Sequence, residues 1–111
     1  MNINELNEEH IGKVLTWMAA NEEKYCVAKA ELESAKIRAK RVRAAAYEAS
    51  EGTAGERQAE VEMNDDVQAA EQAVIDAALA FNRLDMAYDR GRLHIDLYRT
   101  LSASRRAGMV L

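Results

Sequence analysis

The residue types that could carry chemistry are few in this chain. It has two histidines and one cysteine. His10 and His94 stand about eighty residues apart, and Cys26 has no Cys or His at ligand spacing. No CxxC, HExxH or calcium-loop pattern is present, so a metal centre is not expected. A di-iron carboxylate site needs a histidine three residues after a glutamate on facing helices. Glu31, Glu71, Asp85 and Asp89 supply acids without that histidine, and Glu8 and Glu9 merely adjoin His10. Ser34, Ser50, Ser102 and Ser104 lack the flanking glycines of a nucleophile turn, and the glycines form no phosphate loop. The expectation is a protein that is not an enzyme and carries no cofactor.

Charge offers more. Lys36, Arg38, Lys40, Arg41 and Arg43 place five basic residues in eight positions with no acid among them. A second group, Arg99, Arg105 and Arg106, lies near the C-terminal end. Basic side chains engage phosphates without reading sequence. They also shield an alanine-rich helix face with their aliphatic stems and complement a helix C-terminus. The chain as a whole is acidic, with a net charge of −4, whereas dedicated nucleic-acid binders are usually basic. The first run has only Tyr47 nearby for base stacking.

The elements that must position these residues are helices. The chain has 111 residues, no proline, five glycines and one phenylalanine, and alanine fills about one position in five. A β-sandwich needs frequent turn residues and many aromatic or β-branched side chains, and a disulfide scaffold needs paired cysteines. No apolar run approaches the roughly 18 residues of a membrane span, and Met1, Asn2, Ile3, Asn4 and Glu5 do not read as a signal peptide. The expectation is a soluble, cytoplasmic, all-α protein with no membrane partner.

The loop signal is Ser50-Glu51-Gly52-Thr53-Ala54-Gly55, in which Thr53 and Glu56 form a capping box. Asn64, Asp65 and Asp66 form a second cap, and Asn2 with Glu5 an N-terminal one. The spacing predicts one helical domain over residues 1–111: an N-terminal segment over 1–12 with a bend or break at Gly12, a long helix over 13–51, a turn and short helix (about 54–63) over 52–65, a second long helix over 66–106, and a tail over 107–111.

Both long helices carry apolar residues at alternating steps of three and four, through Met18, Tyr25, Leu32 and Val42 in the first and Val74, Phe81, Tyr88 and Gly91 in the second. Sustained heptads of this kind specify coiled-coil packing. The short connection makes the pair a long antiparallel hairpin. Charge suggests its register: Glu22 beside Arg92, Lys29 beside Asp85 and Arg43 beside Glu71, with Tyr25 on Gly91, Leu32 on Leu84, Ala35 on Phe81 and Val42 on Val74. A slip of one heptad would set Glu22 against Asp85. In this register Lys36 faces Ala78 and no acid, and His94 falls near Asn21 and Glu22.

A second apolar stripe, Ile75, Leu79, Met86, Leu93, Leu97 and Leu101, lies on the outer side of the second helix. Two occupants are open: residues 3–17, through Ile3, Leu6, Ile11, Val14 and Leu15, or a second copy, most simply as a dimer. A long two-helix hairpin has little core of its own, and oligomerisation is a common remedy. Trp17 lies off the seam, either under a terminal segment or as an interface anchor.

The stretch Glu51-Gly52-Thr53-Ala54-Gly55-Glu56-Arg57-Gln58-Ala59-Glu60, followed by an alanine-rich helix closing in Leu97-Tyr98-Arg99-Thr100-Leu101-Ser102-Ala103-Ser104-Arg105-Arg106, resembles small helical-hairpin proteins of tailed phages and prophages, often encoded near recombination or single-strand-binding genes. The likeness covers about residues 25–106. It implies a phage setting and brings no catalytic residue. Two expectations follow: an interaction module that binds and blocks or bridges a DNA-processing or defence complex, or a nucleic-acid-binding accessory of recombination or replication. The contact residues in either case would be Lys36, Arg38, Lys40, Arg41, Arg99, Arg105 and Arg106.

Overall fold

The computed structural model describes residues 5–110, with side chains through residue 108. Helix accounts for 91 % of it, with four helices and, among the described residues, no strand. The order is α1 (Glu8–Ala20), α2 (Glu22–Ala49), α3 (Ala54–Glu62) and α4 (Asp65–Val110). The fold is the expected all-α helical hairpin, with α3 in the connection. The chain divides into two compact units. Unit 1 joins the residues up to Tyr25 to those from Arg83 onward, and unit 2 is Cys26–Asn82.

The first helix departs from expectation at both ends. It begins at Glu8 because the Asn7 side chain accepts a hydrogen bond from the His10 amide at 2.8 Å, satisfying one of the unpaired amides of a first turn. Glu8 and Glu9 add negative charge where the helix dipole favours it. Leu6 and Ile11 occupy the two positions of a hydrophobic staple, and both are buried. The helix runs through Gly12 without a break. The break falls instead at Asn21, whose backbone N–H and side-chain Nδ2 both donate to the Trp17 carbonyl, at 3.1 and 2.8 Å. A side-chain amide that bonds its own backbone competes with helix continuation. The Asn21 carbonyl then accepts from Tyr25 N and opens α2. Of the proposed N-terminal cap, Asn2 lies outside the described residues, as does Ile3 of the covering segment.

The connection follows its sequence signals closely. Ser50 turns back on the Tyr47 carbonyl, through its amide at 3.2 Å and its hydroxyl at 2.6 Å. Gly52 takes φ +109°, a left-handed conformation that side chains rarely adopt. Thr53 Oγ1 accepts from Glu56 N at 3.3 Å and donates to Glu56 Oε1 at 3.1 Å. Arg57 reaches back from α3, donates to the Tyr47 carbonyl at 3.0 Å and lies 4.5 Å from the Tyr47 ring centroid. Asn64 Oδ1 accepts from Asp66 N and Val67 N and starts α4, which continues four residues past its expected end at 106.

In unit 2 the buried apolar side chains are Ala28, Leu32, Val61, Val67 and Ala70. Arg43 meets Glu71 at 2.9 Å, the pairing expected from charge, and also contacts Glu62 at the end of α3. In unit 1 the register differs. Gly91 does not receive Tyr25. A Cβ placed on Gly91 would lie 3.1 Å from Met18 Sδ and 3.2 Å from Val14 Cγ1, so Met18, seven positions before Tyr25, fills that layer. Tyr25 instead donates its hydroxyl to Asp85 Oδ1 at 2.7 Å and packs on Tyr88 with ring centroids 4.8 Å apart. Arg92, expected opposite Glu22, pairs with Asp89 one turn away on its own helix at 2.8 Å. Local pairs cost little chain entropy to form, and the aromatic contacts of Tyr25 outweigh an exposed ion pair worth at most about 1 kcal/mol.

Candidate functional site

Within unit 1, α1 and α4 enclose an open cleft of about 460 Å³ lined by His10, Lys13, Val14, Trp17, Ala87, Arg90, Gly91 and His94. The two histidines meet there. His10 Nε2 and His94 Nδ1 are 3.1 Å apart, and the rings are tilted at 49° with centroids 5.2 Å apart. One of those nitrogens donates to the other, and the tautomers decide which. His94 therefore lies against His10 and not beside Asn21 and Glu22, where the expected register puts it. The signal was available in the spacing: His10 lies four residues before Val14, and His94 three after Gly91. Once Val14 faces Gly91, the histidines must face each other.

Trp17 forms the other end of the cleft. Its ring packs on Tyr88 with centroids 5.3 Å apart while 39 % of the residue stays exposed. Tyr88 donates its hydroxyl to the Met18 carbonyl, so this aromatic joins α1 to α4 through both its ring and its oxygen. Lys13 pairs with Glu9 at 3.6 Å. No carboxylate lines the cleft.

The Tyr25 hydroxyl ionises above its ordinary range. The hydrogen bond to Asp85 is the largest cause, and burial and the Asp85 charge add to it, while Arg92 opposes. A carboxylate acceptor stabilises the protonated phenol.

The expected basic contact residues are distributed over both units. In unit 2, Lys36 pairs with Glu33 on its own helix at 3.4 Å. Arg38, Lys40 and Arg41 are exposed. Arg38 borders a groove floored by Ala45, Ala46, Ala49 and Ala70, and Lys40 borders a shallower recess with Tyr47 and Val61. In unit 1, Arg99 lies 4.0 Å from Asp96, Arg106 Nε donates to the Ser102 carbonyl at 3.4 Å, and Arg105 is exposed.

The second apolar stripe is not covered by α1. In unit 1, Met86, Leu93 and Leu97 are 61, 55 and 41 % exposed, and in unit 2 Ile75 and Leu79 are also exposed. Leu101 is half-buried. The first helix spends its apolar face on the Gly91 and Tyr88 side of α4 instead, and Leu15 stays exposed. Cys26 is a free, exposed thiol. Among the described residues, no group of three or more His, Cys, Asp or Glu could hold a metal ion, and no helix is long and apolar enough to cross a membrane. No protein-family model, curated protein or solved structure matches the chain.

Proposed function

We propose that the chain is a non-enzymatic, self-associating helical interaction module of the phage type that its turn and C-terminal segments resemble. In this reading it acts in the cytoplasm and binds and blocks or bridges a DNA-processing or defence complex. The exposed apolar residues of α4 carry the reading. Met86, Leu93 and Leu97 sit at spacings of seven and four on a helix whose other side is already packed. A contiguous apolar surface on a soluble helix marks an interaction site more often than an accident of composition. A second copy is the simplest partner for that surface. Light scattering on the wild type should give a dimer mass, and Met86→Glu with Leu93→Glu should give a monomer of unchanged helicity. A wild type that stays monomeric at high concentration overturns the self-association.

The nucleic-acid reading rests on a different observation. Arg38, Lys40 and Arg41 are exposed and make no ion pair with any described residue. Single-stranded DNA bound through this run must lose affinity steeply between low and moderate salt. Binding that ignores salt, or survives reversal of all three charges, removes this reading.

A further inference from the structure

We propose that His10 and His94 form a two-histidine binding site for a borderline divalent transition-metal ion, zinc, nickel or copper, that ties α1 to α4 in unit 1. Imidazole nitrogens select this class of ion over calcium or magnesium, which prefer oxygen. Nitrogens bound about 2.0–2.1 Å from one ion and 3.1 Å apart subtend about 95–102° at it. That angle lies between the right angle of tetragonal copper or nickel and the tetrahedral angle of zinc. In the metal-free pair one nitrogen already points a proton at the other. Turning both lone pairs from the N–N line toward a common ion takes a rotation of about 40° at each ring, the base angle of that triangle.

The proton balance closes. The neutral pair holds two protons, one between the rings and one on an outer nitrogen. Metal binding moves the inner proton to the outer nitrogen of its own ring, which leaves His10 protonated at Nδ1 and His94 at Nε2. No proton is lost from the neutral pair, and one is lost from a pair that carries an extra proton. With no third protein ligand among the described residues, water fills the remaining positions, and the open cleft admits it. Lys13 and Arg90 line the same cleft but end in long, exposed side chains that can swing away from a cation. Only Asn21 separates α1 from α2, so a bridge at His10 fixes the end of α1 opposite that break.

The test uses the full chain with Cys26→Ser, which removes the exposed thiol as a competing ligand. Zinc chloride titrated calorimetrically should bind once per chain. The melting temperature should rise with the logarithm of free zinc, and magnesium should do nothing. His10→Gln and His94→Gln should each lose affinity by at least the ~10–100-fold that even an outer-shell partner costs. Copper(II) bound to the chain with both histidines intact should show two nitrogen ligands by electron paramagnetic resonance, a readout that does not depend on the variants folding. Absence of saturable zinc binding at millimolar concentration, equal binding by the Gln variants, or a copper spectrum with fewer than two nitrogens overturns the proposal.

Discussion

Tyr25 ties α2 to α4 through both its hydroxyl and its ring. Its position on the heptad seam is correct, but its hydroxyl needs an acceptor once the ring is half-buried, and Asp85 provides one. The folded-state ionisation of Tyr25 lies above its unfolded value of about 10. Folding therefore favours the protonated phenol, and the linked stability is fully present below pH about 10 and lost as pH rises through the folded value. In an ultraviolet titration Tyr25 should ionise later than in the Asp85→Asn variant. The melting temperature of Tyr25→Phe should fall less steeply above pH about 10 than that of the wild type. Equal slopes for the two proteins would show that the hydrogen bond does not persist in solution.

At the scale of elements, two helical glycines should respond oppositely to the same change. Gly12 lies inside α1 with nothing within 4 Å of an added Cβ. Gly12→Ala should stabilise the protein by roughly 0.5–1 kcal/mol, the usual penalty of glycine inside a helix. Gly91→Ala should give no such gain in a urea melt, because Val14 and Met18 already stand at 3.2 and 3.1 Å. Methionine can bend aside, but a β-branched valine is stiff. The elements were legible where local chemistry decides them. Thr53, Gly52 and Asn64 bracket α3 as read from sequence, and Arg43 with Glu71 sets a register through a pair of charges. The division between α1 and α2 was not legible, because Asn21 sits on the apolar seam and breaks the helix by a side-chain bond that periodicity does not report. The cleft was missed for the same reason. Heptad periodicity implies a single register along the whole length of both helices, whereas α1, as a separate helix, meets Gly91 through Met18 and Val14. The stripe was legible from its spacing, and that α1 leaves it uncovered was not.

For the whole molecule, the proposed self-association would tie stability to concentration. A dimer through Met86, Leu93 and Leu97 should melt at a higher temperature as protein concentration rises, and the Met86→Glu, Leu93→Glu protein should melt at one temperature throughout. A wild-type melting temperature independent of concentration would count against the dimer. The division into units has a separate consequence, which concerns synthesis. Unit 2 is one continuous stretch of chain, while unit 1 joins an early stretch to a late one. His10 and His94 are 84 positions apart, so at about 5–20 residues per second the ribosome adds the second about 4–17 s after the first. Until Tyr88 and Gly91 are added late in that interval, Trp17 and Met18 lack the α4 residues that pack on them, while unit 2 has already been made. The nascent chain thus carries its only tryptophan before the α4 residue it packs on exists, and slowing translation across residues 83–88 would lengthen that exposure.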